Sequence, residues 1–245
     1  MQTPFHKEFI ATLGSIGRDR ARYDRFGDFL ELAYCAVAKQ TADAPRAELL
    51  EARYMNVVRR YPADDIRALP KLLALIQLAL IEGGCDFLGG IAAELGALDT
   101  EAGQFFTPYE VSRLMAEISM GDAPAVIAER GFVTLDEPAC GAGCMVIAAA
   151  DALTATGHDI GQALYVEAAD LSATAFKMAY LQLAARGVPA LVRHADSLRP
   201  ECFEAAWTPD MVGFLACHGE AFARWRSEAR PAEPALRAGQ QLLLL

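Results

Sequence analysis

The chain has 245 residues, 53% of them hydrophobic and 22% charged, which is enough for one sizeable α/β domain with a smaller unit beside it. Its 22 basic residues stand against 32 acidic ones, a net charge of −10. That balance opposes the phosphate neutralisation on which nucleic-acid affinity rests, so the chain is poorly suited to gripping DNA by itself.

The strongly apolar stretch at residues 72–81 contains Gln77 and falls short of the roughly 20 residues that span a bilayer, so no membrane span is expected. The opening MQTPFHKEF carries no export signal, and the cytoplasm is the default expectation. Six cysteines (Cys35, Cys85, Cys140, Cys144, Cys202, Cys217) lack the paired spacing that zinc sites favour and read as reduced, mostly buried thiols. The four histidines are scattered, and no metal site is expected.

Residues 1–100 carry apolar positions at the helical period, as in FGDFLELAYCAVA and LPKLLALIQLALIEGG. They predict an all-helical N-terminal domain of four or five helices, broken at Asp43 to Pro45, Tyr61-Pro62, Pro70 and Gly83-Gly84. Arg53, Arg59, Arg60 and Arg67 form a basic cluster there that reads either as a DNA contact or as a solvated helix face.

The next segment, GQFFTPYEV at residues 103–111, holds Thr107-Pro108-Tyr109-Glu110, a capping-box pattern with proline at the first helical position. Phe106 and Val111 are placed to form the accompanying hydrophobic staple. From there short β-type runs alternate with helices: FVTLDEP, CMVIAAADALTAT, ALYVEAAD, SATAFKMAYLQLAARG and ALVRHADSL. This alternation predicts a parallel sheet covered on both faces, with ligands bound beyond the carboxyl ends of its strands. After Leu198 the pattern fades, and PAEPALRAGQQLLLL reads as a flexible stretch with an apolar end.

Three acid-bearing strand ends fall on that edge. Asp136-Glu137-Pro138-Ala139-Cys140-Gly141-Ala142-Gly143 lies between a strand and a helix, with residues small enough for a ligand to approach the backbone, or simply makes a tight turn. Asp170 can accept hydrogen bonds from both hydroxyls of a ribose, or cap the next helix together with Ser172. Asp196 can accept from an exocyclic amine such as that of adenine. Three acids delivered to one edge by successive strands point to a nucleoside-containing ligand.

Together these segments resemble the N6-adenine DNA methyltransferases, notably the modification subunits of type I restriction systems and their single-chain relatives. GQFFTP, EPACGAG, ADLSATAFKMAYLQL and HADSL match, in order, the segment that closes over the methionine half of the cofactor, the cofactor loop, the ribose-binding strand end and the adenine-binding strand end. The resemblance covers residues 103–198. It implies a class I methyltransferase fold, a Rossmann-like three-layer α/β sandwich with a parallel sheet, and S-adenosylmethionine as cofactor. Residues 101–225 are then the cofactor-binding domain and residues 226–245 a flexible tail.

Carried over by position, Phe106 and Thr107 touch the methionine end, and Glu137, Ala139, Cys140, Gly141 and Gly143 line the loop around it. Asp170 holds the ribose with Leu171 packed on the adenine, and Asp196 binds the adenine amine, followed by Ser197.

The family's catalytic signature, N/D-P-P-Y/F, is absent downstream of Asp196. Its polar residue and proline carbonyl accept from the target amine while the aromatic ring stacks on a flipped base. Trp207-Thr208-Pro209-Asp210, or a strand over residues 210–219 with Cys217-His218-Gly219, are the candidate replacements, against an ordinary helix and turn. The catalytic residues are unassigned. Two readings stay open: a DNA adenine-N6 methyltransferase, or cofactor-binding subunit of one, working with a protein partner or as a homo-oligomer; and an inactive methyltransferase-like protein that regulates or competes with a restriction-modification system.

Overall fold

The computed structural model describes residues 4–81, 83–97, 107–199 and 201–229. Phe106 and residues 230–245, with the apolar end of the chain, lie outside them. Five helices come first: α1 (Pro4–Ser15), α2 (Arg22–Ala38), α3 (Ala44–Val58), α4 (Ala63–Leu80) and α5 (Phe87–Leu95). Asp43 starts α3 by accepting from Arg46 N–H, with Pro45 in the first turn, and Asp86 starts α5 by accepting from Gly89 N–H. Pro70, expected to break a helix, lies inside α4 instead. It is exposed on the helix surface, where the proline ring and the lost hydrogen bond are tolerated at least cost.

The second part runs α6 (Tyr109–Ser119), α7 (Ala123–Arg130), β1 (Val133–Glu137), α8 (Cys144–Ala155), α9 (Ile160–Ala163), β2 (Leu164–Asp170), α10 (Ala173–Arg186), β3 (Ala190–Asp196), β4 (Glu201–Trp207) and α11 (Met211–Ala229). Among the described residues the sheet has the order β1-β2-β3-β4. β1, β2 and β3 are parallel, as the alternation predicts, but β4 is antiparallel to β3. The link between them explains the reversal. Asp196 accepts from the N–H groups of Leu198 and Arg199, which turns the chain back within a few residues, whereas a parallel return needs a crossover of about a dozen residues or more.

Alternation along the strands divides two cores. Val166, Ala168, Ala190, Val192 and Ala206 face the side covered by α8, α10 and the N-terminal helices, in one continuous apolar cluster that reaches Phe9 and Phe29. Tyr165, Leu191, Ala205 and Trp207 face the other side, where Phe214 and Phe222 of α11 cover them. The result is three layers: helices, sheet, helix. Both cores bury large side chains completely, and this non-directional burial is the main force holding the layers together.

A polar seam fastens the N-terminal helices to the sheet. Glu204 of β4 accepts from Tyr34 Oη and Arg53 Nη1, both at 2.7 Å, while Arg53 Nε and Lys177 Nζ hold Glu31 at 2.7 and 2.8 Å. At the other end of the sheet β1 is the outer strand, and α6 lies over α8, its buried Ala116 set against Ala148 and Ala149. Small residues on both helices allow that close approach. α11 continues to Ala229, past residue 226. Among the described residues no helix is long and apolar enough to cross a membrane.

Candidate functional site

Parallel β1, β2 and β3 end at the same edge of the sheet, and their register places the acids as steps. Glu137 is opposite Ala168 and Asp170 is opposite His194, so each acid lies two residues beyond the last along the strand direction. Two residues of strand span about 6–7 Å. The stepped edge is therefore long enough for a ligand with a base at one end and a ribose in the middle.

The loop from β1 to α8 is held onto this edge by backbone bonds. Cys140 N–H donates to Ala169 O at 2.9 Å, and Gly141 N–H donates to Asp170 Oδ2 at 2.8 Å. Gly141 and Gly143 have φ of +54° and +95°, backbone conformations that L side chains rarely adopt. Asp170 Oδ1 accepts from Ser172 N–H at 2.8 Å, and the N-cap of α10 is Ser172, whose hydroxyl accepts from Ala175 N–H. The acid thus serves the loop, and the serine serves the helix. Across the loop, Ser197 Oγ donates to Pro138 O at 2.5 Å and joins the end of β3 to the start of the turn. Glu137 Oε1 accepts from Ala139 N–H at 3.3 Å, and Cys140 is buried, its thiol pushed well above the ordinary range by burial and then by Asp170 and Glu137.

Leu171 stands 62% exposed beside Asp170. Its carbonyl is 3.0 Å from His194 Nε2, and the His194 ring stacks on Phe176. An exposed leucine next to a carboxylate offers an apolar platform and an acceptor together. Each oxygen of Asp170 accepts one N–H and keeps a second lone pair, so the carboxylate can still receive ligand hydroxyls. α8 begins at the loop with no side-chain cap. These residues fit a nucleoside ligand with a polar extension toward the loop.

Thr107 does not join this group. It is exposed and lines a cavity of about 500 Å³ together with Asp86, Gly89, Glu94, Tyr109 and Glu110. The capping box does not form either: α6 starts at Tyr109, Pro108 is its N-cap without a side-chain bond, and Val111 and Ser112 N–H donate to Pro108 O. Two links tie this cavity to the loop and its helix. Gln182 Nε2 donates both to Asp86 Oδ1 at 2.8 Å and to Ala142 O at 2.7 Å. Asp151 of α8 accepts from Tyr109 Oη, Gly84 N–H and Arg186 Nε. Burial raises the carboxyl pKa of Asp86. Sequence reasoning missed Asp86, Asp151, Gln182 and His194, because their partners lie far along the chain and no short motif marks them.

Neither candidate for the missing signature reaches the stepped edge. Antiparallel β4 carries Trp207 to Asp210 back to the opposite edge, beside the start of β3. There Thr208 Oγ1 accepts from Ala190 N–H and donates to Val188 O, which is a fastening role, and burial raises the Asp210 carboxyl. Residues 211–229 form a helix and not a strand, and His218 packs against Phe132 and Gly131 at the start of β1. The basic cluster is divided as well. Arg53 pairs with Glu31 and Glu204, Arg60 with Asp28 and Arg67 with Asp64. Among the described residues no group of three His, Cys, Asp or Glu is arranged to hold a metal ion.

Fold and edge together define an α/β protein whose parallel strand ends gather three acids about a glycine-bearing loop. The model of the N-6 DNA methylase family matches residues 88–218, more than half of the chain, and the chain belongs to that family. No curated protein and no solved structure matches it.

Proposed function

We propose that this chain binds S-adenosylmethionine as the cofactor-holding part of a DNA adenine-N6 methyltransferase, with the group that receives the target amine supplied from outside the described residues. The observation that carries the reading is the Asp170 carboxylate, which braces the glycine loop through Gly141 while exposed Leu171 stands beside it. Membership of the N-6 DNA methylase family supports it.

In this reading Asp170 accepts from the ribose hydroxyls, Leu171 packs on the adenine ring and Asp196, followed by Ser197, receives the adenine amine. Glu137, Ala139, Cys140, Gly141 and Gly143 shape the loop, and Thr107, with Phe106 before it, meets the methionine end where that end passes from the loop to the cavity that Gln182 ties to it. The bound cofactor supplies an electrophilic methyl group. The chain's own contribution is to fix the nucleoside half and hold the loop in one conformation. An adenine amine is a poor nucleophile and needs a positioned acceptor while its base is held out of the stack. Net charge of −10 also leaves the DNA grip to another basic surface. Residues 1–100 serve as a helical unit packed on the sheet and 101–225 as the cofactor domain, with α11 running on past residue 226.

The far-edge position of Asp210 favours a second reading, an inactive cofactor-binding protein that acts by association with a restriction-modification system. Calorimetry with S-adenosylmethionine, followed by radiolabelled methyl transfer to DNA by the chain alone and with its partner, separates the two. Absence of cofactor binding refutes both.

A further inference from the structure

We infer that the outer edge of β1 and the exposed face of α6 form one docking surface for a basic protein partner that adds a strand to the sheet beside the glycine loop. Two independent features meet there. The first is β1 itself: among the described residues it pairs only with β2, and none of its residues is fully buried, whereas β2 is buried over most of its length. A parallel strand is normally covered on both sides and both faces. The second is a stripe on α6, where Val111, Leu114, Met115 and Ile118 recur at helical spacing and are 47%, 59%, 48% and 74% exposed. Solvated helices seldom carry four such neighbours.

The two features are continuous. Leu135 of β1 packs in the same small cluster as Ala116 of α6 and Met120 just after it, so a partner lying along the strand edge also meets the stripe. The other edge strand, β4, is antiparallel to β3 and lies three strands away from β1, the strand that carries Glu137 into the glycine loop.

Charge and area select the occupant. Around this face the exposed acids are Glu110, Glu117, Asp122, Glu129 and Asp136, against Arg113, which is paired with Glu110 and Glu117, and half-buried Arg130. A second copy of this chain would set acid against acid, whereas a basic partner matches it. α6 is 11 residues long. At about 1.5 Å per residue and 10 Å across it presents roughly 160 Å² in projection, well below the ~800 Å² per partner of a stable interface, so the occupant covers the strand edge too. What the partner brings, a DNA grip and an acceptor for the target amine, rests on the proposed function.

The test uses the full chain and its Leu114→Asp/Ile118→Asp variant, both exposed positions, as baits on extract from the source cells. The retained protein is then purified and added back during hydrogen exchange. Expected are fast exchange at the amides of residues 133–137 that point away from β2 in the isolated chain, a basic protein held by the wild type and lost at least tenfold in the variant, and slowed exchange at those outward amides on its return. The inference is overturned if those outward amides are already protected in the isolated chain, since another part of the chain then covers the edge. It is equally overturned by a wild-type dimer that the variant dissolves, by baits that retain the same proteins, or by a purified partner that leaves those amides unchanged. Calorimetry with S-adenosylmethionine on both baits separates the two claims: lost cofactor binding defeats the proposed function, while intact binding without a partner defeats only the surface.

Discussion

Replacing Asp170 by alanine removes the one side chain that touches both the loop and the proposed ribose position. In the structure its carboxylate receives the N–H groups of Gly141 and Ser172, each at 2.8 Å. A hydrogen bond to a charged acceptor contributes about 1.5–3 kcal/mol, so losing the ribose contact weakens S-adenosylmethionine binding roughly 10- to 150-fold. Loss of the Gly141 bond adds to this by freeing the loop. Asp170→Asn keeps one acceptor oxygen and falls between the two. Calorimetry measures the affinities, and thermal unfolding shows whether the variants stay folded. Each kcal/mol lost in stability lowers the midpoint by about 2–4 °C at this chain length, which is separable from the change in affinity. A folded Asp170→Ala protein that binds within twofold of wild type refutes the assignment.

Asp210→Ala leaves cofactor affinity and any methyl transfer with a partner unchanged, because the residue lies at the opposite edge, while Thr208→Val costs about 1–3 kcal/mol in urea unfolding by stripping the bonds to Ala190 and Val188. Burial alone would raise the Glu31 carboxyl, but Arg53 and Lys177 outweigh it and hold it at about 2, below the usual 4.5. Its folded pKa is therefore depressed, and the stability it contributes is present above pH 4.5 and lost as pH falls toward 2. Urea titrations across that window show a fall for wild type that Glu31→Gln flattens. Alkylation at pH 8 followed by mass spectrometry labels exposed Cys217 well before buried Cys140, whose thiol lies well above the ordinary range. Comparable rates at the two sites contradict the packing of the loop.

The parts of the fold that follow from local pattern are readable in the residues. Alternation over 132–198 gives β1, β2 and β3 in order, and the small residues between Glu137 and Cys144 mark the loop because that turn needs positive φ. What escapes is set by tertiary geometry. ECFEAAW is a strand only because the short link after Asp196 folds it back onto β3, and its direction decides that Trp207 to Asp210 miss the site. Pro70 reads as a breaker until its exposed position is known. Arg53 reads as a candidate phosphate contact until Glu204, 151 residues away, is found against it. Gln182 carries no motif, yet it joins Asp86 to Ala142 across distances in sequence that no pattern encodes.

The tight link between β3 and β4 also bears on how the chain folds. These two strands meet after closing only a short loop, while β1–β2 and β2–β3 each wait for a helix to be laid across the sheet. Closing a long loop costs more entropy than closing a short one, so the β3–β4 hairpin is the cheapest part of the sheet to nucleate. Growth from that hairpin through β2 to β1 is the order this topology predicts, and pulsed hydrogen exchange that finds β1 protected before β3 and β4 refutes it. On that order the strand that carries Glu137 is secured last, beside the loop that Asp170 holds.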